Sequence, residues 1–206
     1  MSDGWDIPAA AVSVSEEIKK SRFITLLAHT DGVDAARSWI QSIKAAHPQA
    51  RHHCWAFVAG APDDSQQLGF SDDGEPAGTA GKPILAQLQG AEIGEISAVV
   101  VRYYGGIQLG TGGLVKAYGG GVQQALRQLT RAQRVPMRYF RLCCDYAQLS
   151  LVEGLVARCA GKVMESDFQS QITLTLALPY AEIAAFSRQL ADGSRGGLQL
   201  QPLDVV

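Results

Sequence analysis

The sequence lacks several features that mark common classes of protein. Its longest apolar runs fall well short of the roughly 20 residues that a membrane-spanning helix needs. It contains no GxxxxGK[ST] string, which excludes a P-loop. The four cysteines, Cys54, Cys143, Cys144 and Cys159, form no CxxC pair, so neither a zinc ribbon nor a thioredoxin-like site is expected. Buried, reduced thiols are the favoured interpretation.

The first residues also lack what a secretory signal requires. Asp3, Asp6, Glu16 and Glu17 stand where a signal peptide needs cations, and no long apolar segment accompanies them. The sequence therefore predicts a cytoplasmic protein that does not associate with membranes.

Acidic residues are absent from residues 96–144, although the chain as a whole has a formal net charge of −2. The cations in this basic window are Arg102, Lys116, Arg127, Arg131, Arg134, Arg138 and Arg141. Upstream the sign reverses, with Asp72, Asp73, Glu75 and Glu95 among the acids. If the two windows separate in space, the molecule is polarised and the basic window indicates a phosphate-bearing partner. Alternatively, the arginines pair with acids from elsewhere on solvated faces.

A glycine-rich connection follows the most apolar strand pattern, Ile96 to Tyr103, and leads into a helical pattern from Thr111 to Thr130. Its glycines are Gly105, Gly106, Gly110, Gly112 and Gly113. The order of strand, glycine-rich turn and helix start brings backbone N–H groups close to an anion. Thr111 is predicted to cap the helix, and Arg102 and Lys116 are the nearest cations.

A second glycine-rich loop runs from Ser71 to Pro83 and begins with an acidic turn, Asp72-Asp73-Gly74-Glu75. Three carboxylates within four residues offer oxygen ligands for a divalent cation. Their spacing is not that of a calcium loop, and turns favour Asp and Gly in any case. A turn role is the favoured interpretation, and we expect this loop to lie beside the first one.

Pro136 divides the chain into two predicted domains. Residues 1–134 predict a two-layer α/β domain, in which residues 127–134 form a helix end and a linker. Residues 137–206 follow the order β-α-β-β-α-β, which is the ferredoxin-like order. The predicted fold class is therefore α+β.

Three segments resemble the IMPACT family, in particular its bacterial YigZ branch. They are HHCWAF at 52–57, SDDGEPAGTAGKP at 71–83 and VVVRYYGGIQLGTGG at 99–113. The R-[aromatic]-[aromatic]-G-G-x-x-[aliphatic]-G string within the third is specific, and the resemblance covers the whole chain. It implies an N-terminal domain folded like the second domain of ribosomal protein S5. It also implies a C-terminal domain similar to the ferredoxin-like modules of translation factor G. Both of those proteins contact ribosomal RNA, and eukaryotic members of the family regulate translation.

These observations favour a non-enzymatic regulator of translation that binds RNA or a ribosome-associated target, without a cofactor. A protein partner from the translation machinery, or a pure protein–protein adaptor role, is a further possibility. The residues expected to contact phosphates or bases are Arg102, Tyr103, Tyr104, Gly105, Gly106, Gly110, Thr111, Gly112, Gly113, Lys116, Arg127, Arg131 and Arg134.

The alternative hypothesis is an enzyme that binds a nucleotide or another phosphate compound. In it, the loop at 105–113 would hold the phosphate, and the second loop would bind Mg²⁺. The residues of that second loop are Asp72, Asp73, Gly74, Glu75 and Lys82. His52 and Cys54 are candidates for acid–base or nucleophilic groups, although neighbours two apart on one strand are poorly placed to act as a dyad.

Overall fold

The computed structural model describes residues 4–204. These residues form two compact units, Trp5–Arg134 and the residues from Val135 onward. Both units combine helices with antiparallel sheets, which confirms the predicted α+β class. Among the described residues, no helix has the length and apolar character needed to cross a membrane.

The first unit is built on a five-stranded sheet. The unit contains seven strands: β1 (Trp5–Pro8), β2 (Val12–Ile18), β3 (Ser21–His29), β4 (His52–Val58), β5 (Leu68–Ser71), β6 (Ile96–Tyr103) and β7 (Arg131–Arg134). Strands β2 to β6 form the main sheet, and β1 and β7 form a separate pair. The main sheet has the order β2-β3-β6-β4-β5, and all neighbouring strands are antiparallel. The central strand β6 is buried on both faces, which explains why its sequence is apolar without alternation.

Helices cover both faces of this sheet. They are α1 (Val33–Ala46), α2 (Gly81–Gly90) and α3 (Gly110–Gln128). Helices α2 and α3 pack on the face that carries Cys54, Ala98 and Val100. Helix α1 places Ala36 and Ile40 on the other face, against Val99 and Val101. It thereby adds a partial third layer to the two predicted, because the alternate residues of β6 are apolar as well.

The prediction of a linker at 127–134 is wrong for its last residues. Strand β7 pairs antiparallel with β1, in a register that places Arg131 opposite Pro8 and Arg134 opposite Trp5. Its sequence, RAQR, is mostly polar and all four residues are exposed, so it carries no strand periodicity. The partner strand from the start of the unit, rather than local preference, determines this conformation.

The second unit has the ferredoxin-like order that was predicted. Its elements are β8 (Met137–Cys144), α4 (Leu149–Arg158), β9 (Lys162–Phe168), β10 (Ile172–Pro179), α5 (Ile183–Ser194) and β11 (Gln201–Pro202). The sheet order is β11-β8-β10-β9, with antiparallel neighbours throughout. The pattern of residues 198–206 predicts a longer last strand, but β11 pairs at only two residues, and positions 205 and 206 lie outside the described part.

Three consecutive glycines in α3 have different surroundings. A Cβ atom on Gly121 would lie 2.5 Å from the buried Oγ1 of Thr25 on β3, so this glycine allows the helix to approach the sheet. Gly119 faces Pro83 and Gln87 of α2 at ordinary contact distances. A Cβ on Gly120 would meet open space. Of the three, Gly121 is therefore the glycine that the close packing of α3 on the sheet requires.

Alanine substitutions should separate these roles. Gly121→Ala should lower the free energy of unfolding by about 1–3 kcal/mol, since the new methyl group is forced against Thr25. Gly120→Ala should raise it by up to about 1 kcal/mol through helix propensity alone. Urea denaturation measures both values. Equal effects of the two substitutions would contradict the packing described here.

Candidate functional site

A pocket of about 440 Å³ lies where the two glycine-rich loops meet. Its walls come from the start of β4, the acidic turn, the end of β6 and the first turn of α3. The lining residues are Arg51, His52, Gly74, Glu75, Pro76, Arg102, Tyr104, Gln108, Leu109, Gly110, Thr111 and Leu114. The two loops are thus neighbours, as their sequences suggested.

Arg102 lies at the floor of the pocket because of the strand register. It stands opposite Phe23 of β3 on one side and opposite His52 of β4 on the other. Its guanidinium group lies 5.4 Å from the Phe23 ring centroid. Although arginine is rarely buried, Arg102 is only 4% exposed. A buried arginine requires a partner that compensates its charge.

That partner is Glu75 of the acidic turn. Arg102 donates from Nη1 to Oε1 of Glu75 at 2.5 Å, and the hydroxyl of Tyr118 donates to the same oxygen at 2.8 Å. Arg102 Nη2 also donates weakly to Ser21 Oγ at 3.4 Å. Through these contacts one carboxylate joins the acidic turn to the central strand and to α3. Burial raises the pKa of Tyr118, so its hydroxyl remains a donor.

The other two carboxylates of the acidic turn are occupied elsewhere. Asp72 accepts hydrogen bonds from the backbone N–H groups of Gly78, Ala80 and Gly81, at 2.8, 3.0 and 2.8 Å. Burial opposes the charge on Asp72, but these hydrogen bonds outweigh it, and the pKa of the carboxyl group is lowered. Asp73 accepts from the backbone N–H of His53 at 2.7 Å.

The carboxylates of the acidic turn are not directed to one point, which the Mg²⁺ site of the alternative hypothesis requires. These three carboxylates point to different partners, and residues 4–204 contain no cluster of three or more His, Cys, Asp or Glu side chains suited to a metal ion. The physical reason is that each carboxylate satisfies hydrogen-bond donors within its own loop or on the sheet. Lys82 is exposed on α2 and does not line the pocket.

The two adjacent tyrosines point to opposite faces of the sheet. Tyr103 lies on the α1 face, where its hydroxyl is 2.8 Å from His47 Nδ1 and Arg22 lies 4.5 Å from its ring centroid. Tyr104 is 40% exposed and lines the pocket, with the guanidinium groups of Arg51 and Arg102 at 5.1 and 5.3 Å from its ring centroid. Of the pair, Tyr104 alone can stack on a ligand in this pocket.

The glycines of the first loop serve different purposes. A Cβ on Gly105 would collide with the backbone carbonyl of Lys20, so this glycine lets the loop pass the β2–β3 turn. Gly106 and Gly110 have φ values of +86° and +74°, which favour glycine. Gly112 and Gly113 belong to the first turn of α3. Ligand contact is therefore not needed to explain Gly105.

The prediction that Thr111 caps α3 is wrong. The helix begins one residue earlier, at Gly110, so its N-cap is Leu109, which makes no side-chain capping hydrogen bond. Thr111 falls at the second helical position and lines the pocket. The first turn of α3 contains no acidic residue. The first N–H groups of α3 consequently have no side-chain cap.

Three arginines of the basic window lie beside acids, so the spatial separation that a polarised molecule requires does not hold for them. Arg131 pairs with Asp6 at 3.1 Å. Arg134 pairs with Asp31 at 3.3 Å and with Glu95 at 3.1 Å. Together with the Arg102–Glu75 pair, this confirms the alternative interpretation for three of the arginines. The antiparallel ribbon of β1 and β7 is what brings Asp6 to Arg131.

Lys116 and Arg127 differ from those three arginines in their surroundings. Both are exposed on α3 and line a groove between α3 and β2, which also contains Glu16. Within residues 4–204, neither of them has an acidic group within 4.0 Å. We call this surface the α3–β2 groove. Gly113 lines the groove and the next residue, Leu114, lines the pocket, so the two surfaces adjoin.

The surroundings of Cys54 disfavour a nucleophilic role for its thiol. It is fully buried, and its thiol donates to the backbone carbonyl of Asp72 at 2.9 Å. Burial, aided by the nearby charge of Glu75, raises the pKa of Cys54 to about 12. His52 instead lines the pocket, with Nδ1 donating to the carbonyl of Asp73 at 2.8 Å.

Sequence reasoning missed Arg51 and the contact made by Tyr118. Arg51 directly precedes β4, and only the antiparallel pairing of β4 with β6 brings it to the ring of Tyr104. Tyr118 fits the apolar face of α3, so nothing in the sequence marked its hydroxyl as the partner of Glu75. Knowledge of the strand order would have been needed to find either residue.

The three hydrogen bonds to Asp72 predict a pH-dependent effect of Asp72→Asn. The folded-state pKa of Asp72 lies below its unfolded value, so its stabilising contribution is present above about pH 4 and is lost as the pH falls through the lower, folded-state value. At pH 7, Asp72→Asn should destabilise by about 1–2 kcal/mol. This difference should shrink in acid.

Urea unfolding at pH 7 and at the lowest pH where both proteins fold measures this effect. Asp63→Asn is a matched control, since Asp63 is an exposed carboxylate in a nearby turn. A difference between wild type and Asp72→Asn that does not change with pH would contradict the assigned role.

The chain shows clear similarity to known protein families and structures. The Impact N-terminal domain matches residues 19–126, and a domain of unknown function (DUF1949) matches residues 142–196. The chain is 65% identical to the IMPACT family member YigZ of Escherichia coli (strain K12) over 202 residues, which cover 98% of this chain and 99% of that relative.

A more distant relative and a solved structure give the same result. Identity to the IMPACT family member YvyE of Bacillus subtilis (strain 168) is 36% over 179 residues, covering 87% of this chain and 82% of that relative. A crystal structure of a hypothetical protein is similar with a TM-score of 0.74 and 64% identity, covering 100% of both chains. The chain therefore belongs to the IMPACT family.

Proposed function

We propose that the chain is a non-enzymatic regulator that binds RNA, free or within the ribosome, and thereby modulates translation in the cytoplasm. Membership of the IMPACT family supports a regulatory role. The observation that carries the RNA part of the proposal is the surface of α3, which begins at a cationic, aromatic pocket and continues as the α3–β2 groove.

The spacing of the two groove cations suits a nucleic-acid backbone. Lys116 and Arg127 are separated by about three helical turns and therefore lie on the same side of α3, roughly 16 Å apart. Since neither is paired with an acid within the described residues, both charges are available to phosphates. A groove that follows the backbone, next to an exposed aromatic ring such as Tyr104, is typical of proteins that bind single-stranded nucleic acid.

The paired arginines have a smaller part in this proposal. Arg131 and Arg134 are already neutralised by Asp6, Asp31 and Glu95, so a phosphate would have to displace a carboxylate. Tyr103 is directed to the α1 face and makes its contacts there. The proposed contact set therefore consists of Lys116, Arg127 and the residues of the pocket.

We propose no reaction for this site. A nucleophilic role for Cys54 is disfavoured by the raised pKa of its buried thiol, about 12. Phosphoryl transfer with Mg²⁺ would require carboxylates that converge on one ion. In the acidic turn they are directed to separate hydrogen-bond partners.

Binding to a single-stranded RNA oligonucleotide and to purified ribosomal subunits, measured across a salt series, tests the proposal. Wild-type protein should show affinity that falls linearly on a log–log plot against salt. The double variant Lys116→Ala/Arg127→Ala should bind more weakly, and the magnitude of its slope should be smaller by about 1.4, which corresponds to two phosphate contacts on a single strand.

The matched control is Arg131→Gln, which removes an arginine that is already paired with Asp6. Its salt slope should remain that of wild type. Absence of salt-dependent binding to every RNA and ribosomal preparation would refute the proposal. An Arg131→Gln effect as large as that of the double variant would show that the α3–β2 groove is not the contact surface.

A further inference from the structure

We propose that the pocket between the two glycine-rich loops binds a nucleotide through a terminal phosphomonoester, such as the 5′-phosphate at an RNA end. The inference rests on the proposed function, because it names the part of an RNA that this pocket accepts. Four observations carry it: a buried donor without an acceptor, an uncapped helix start, the charge of the lining residues and an exposed aromatic ring.

The first observation is the side chain of Arg102. It lines the pocket, and its side chain is 5% exposed. Glu75 and Ser21 accept hydrogen bonds from its two terminal nitrogens, whereas Nε has no hydrogen-bond partner within residues 4–204. A buried donor without an acceptor is unfavourable. Because Nε has less than 1 Å² of accessible surface, an anion in the pocket would become its acceptor only with a small rearrangement of the Arg102 side chain.

The second observation is the start of α3 on the pocket wall. This helix is 19 residues long, its N-cap makes no side-chain hydrogen bond, and its first turn contains no acid. Gly110 and Thr111, the first two helical residues, line the pocket. The N–H groups of an uncapped first turn and the positive end of the helix dipole together favour an anion.

The charge of the lining residues favours a monoester over a diester. A terminal phosphate carries about −1.5 to −2 charges at pH 7 and presents three acceptor oxygens. The pocket offers donors from two directions, Arg51 and the start of α3, while Arg102 at its floor is paired with Glu75. Glu75 is the lone carboxylate among its lining residues, and it is bound to Arg102 and to the hydroxyl of Tyr118.

The aromatic wall and the volume of the pocket indicate that its ligand is a nucleotide rather than a phosphate alone. Tyr104 is exposed beside Arg51, and its ring can stack on a base. The volume of about 440 Å³ lies within the range of roughly 300–1,000 Å³ found for small-molecule sites. Because four segments of the protein form its walls, the pocket favours the end of an RNA over an RNA strand that passes through it.

Binding of matched oligonucleotides tests the inference. The probes are one single-stranded RNA with a 5′-phosphate, the same RNA with a 5′-hydroxyl, adenosine 5′-monophosphate, and a phosphoserine peptide. Wild-type protein should bind the phosphorylated RNA at least about tenfold more tightly than the hydroxyl form, which is the gain expected from one charge-assisted hydrogen bond.

Two arginine variants test whether the advantage of the 5′-phosphate depends on this pocket. Arg51→Gln should abolish the advantage of the 5′-phosphate, so that the phosphorylated and hydroxyl forms of the RNA bind with equal affinity. Arg22→Gln is the matched control, because Arg22 also rests on a tyrosine of the same motif, Tyr103, but on the other face of the sheet. It should retain the full advantage.

The outcomes distinguish this inference from the proposed function. Equal affinity for the two RNA forms would overturn the phosphomonoester site and leave RNA binding intact. Binding of adenosine 5′-monophosphate, weakened by Arg51→Gln, without binding of any RNA would support the pocket and refute the proposed function. If the phosphoserine peptide binds as tightly as the phosphorylated RNA, the assignment to nucleotides is overturned.

Discussion

The buried ion pair between Arg102 and Glu75 is the interaction on which the site depends. Arg102 belongs to the central strand of the sheet, and Glu75 belongs to the acidic turn. The carboxylate also accepts from Tyr118 of α3. Ser21 accepts hydrogen bonds from both Arg102 and the backbone of Gly105, so the first glycine-rich loop is connected to the same network.

Burial of such a pair carries a large desolvation free energy. Its net contribution to stability is therefore small or unfavourable relative to apolar packing. The main effect of the pair is to hold segments of the chain in place. It fixes the acidic turn above the sheet and sets one wall of the pocket, while α3 and the first loop form the opposite wall. The same arrangement directs most of the hydrogen-bonding capacity of Arg102 inward and leaves Nε without a protein acceptor.

Most of the fold could be predicted from the sequence because its strands and helices are long and periodic. The patterns at Val12–Ile18, Ile96–Tyr103 and Lys162–Phe168 predict strands with the bounds that the structure shows for β2, β6 and β9. Strand β7 was missed because RAQR has no periodicity and forms only by pairing with β1. The site was predicted in part: both loops were identified, but Arg51 reaches the pocket only through strand order, and the charges of Arg131 and Arg134 are neutralised by acids distant in sequence.

Hydrogen exchange of the backbone amides in Glu75→Gln, compared with wild type, tests the central role of the ion pair most directly. If Arg102 and Glu75 hold both loops, amides of the acidic turn and the Gly105 amide should exchange faster together, while amides of the second unit remain unchanged. Faster exchange confined to the acidic turn, with Gly105 as protected as in wild type, would contradict this account.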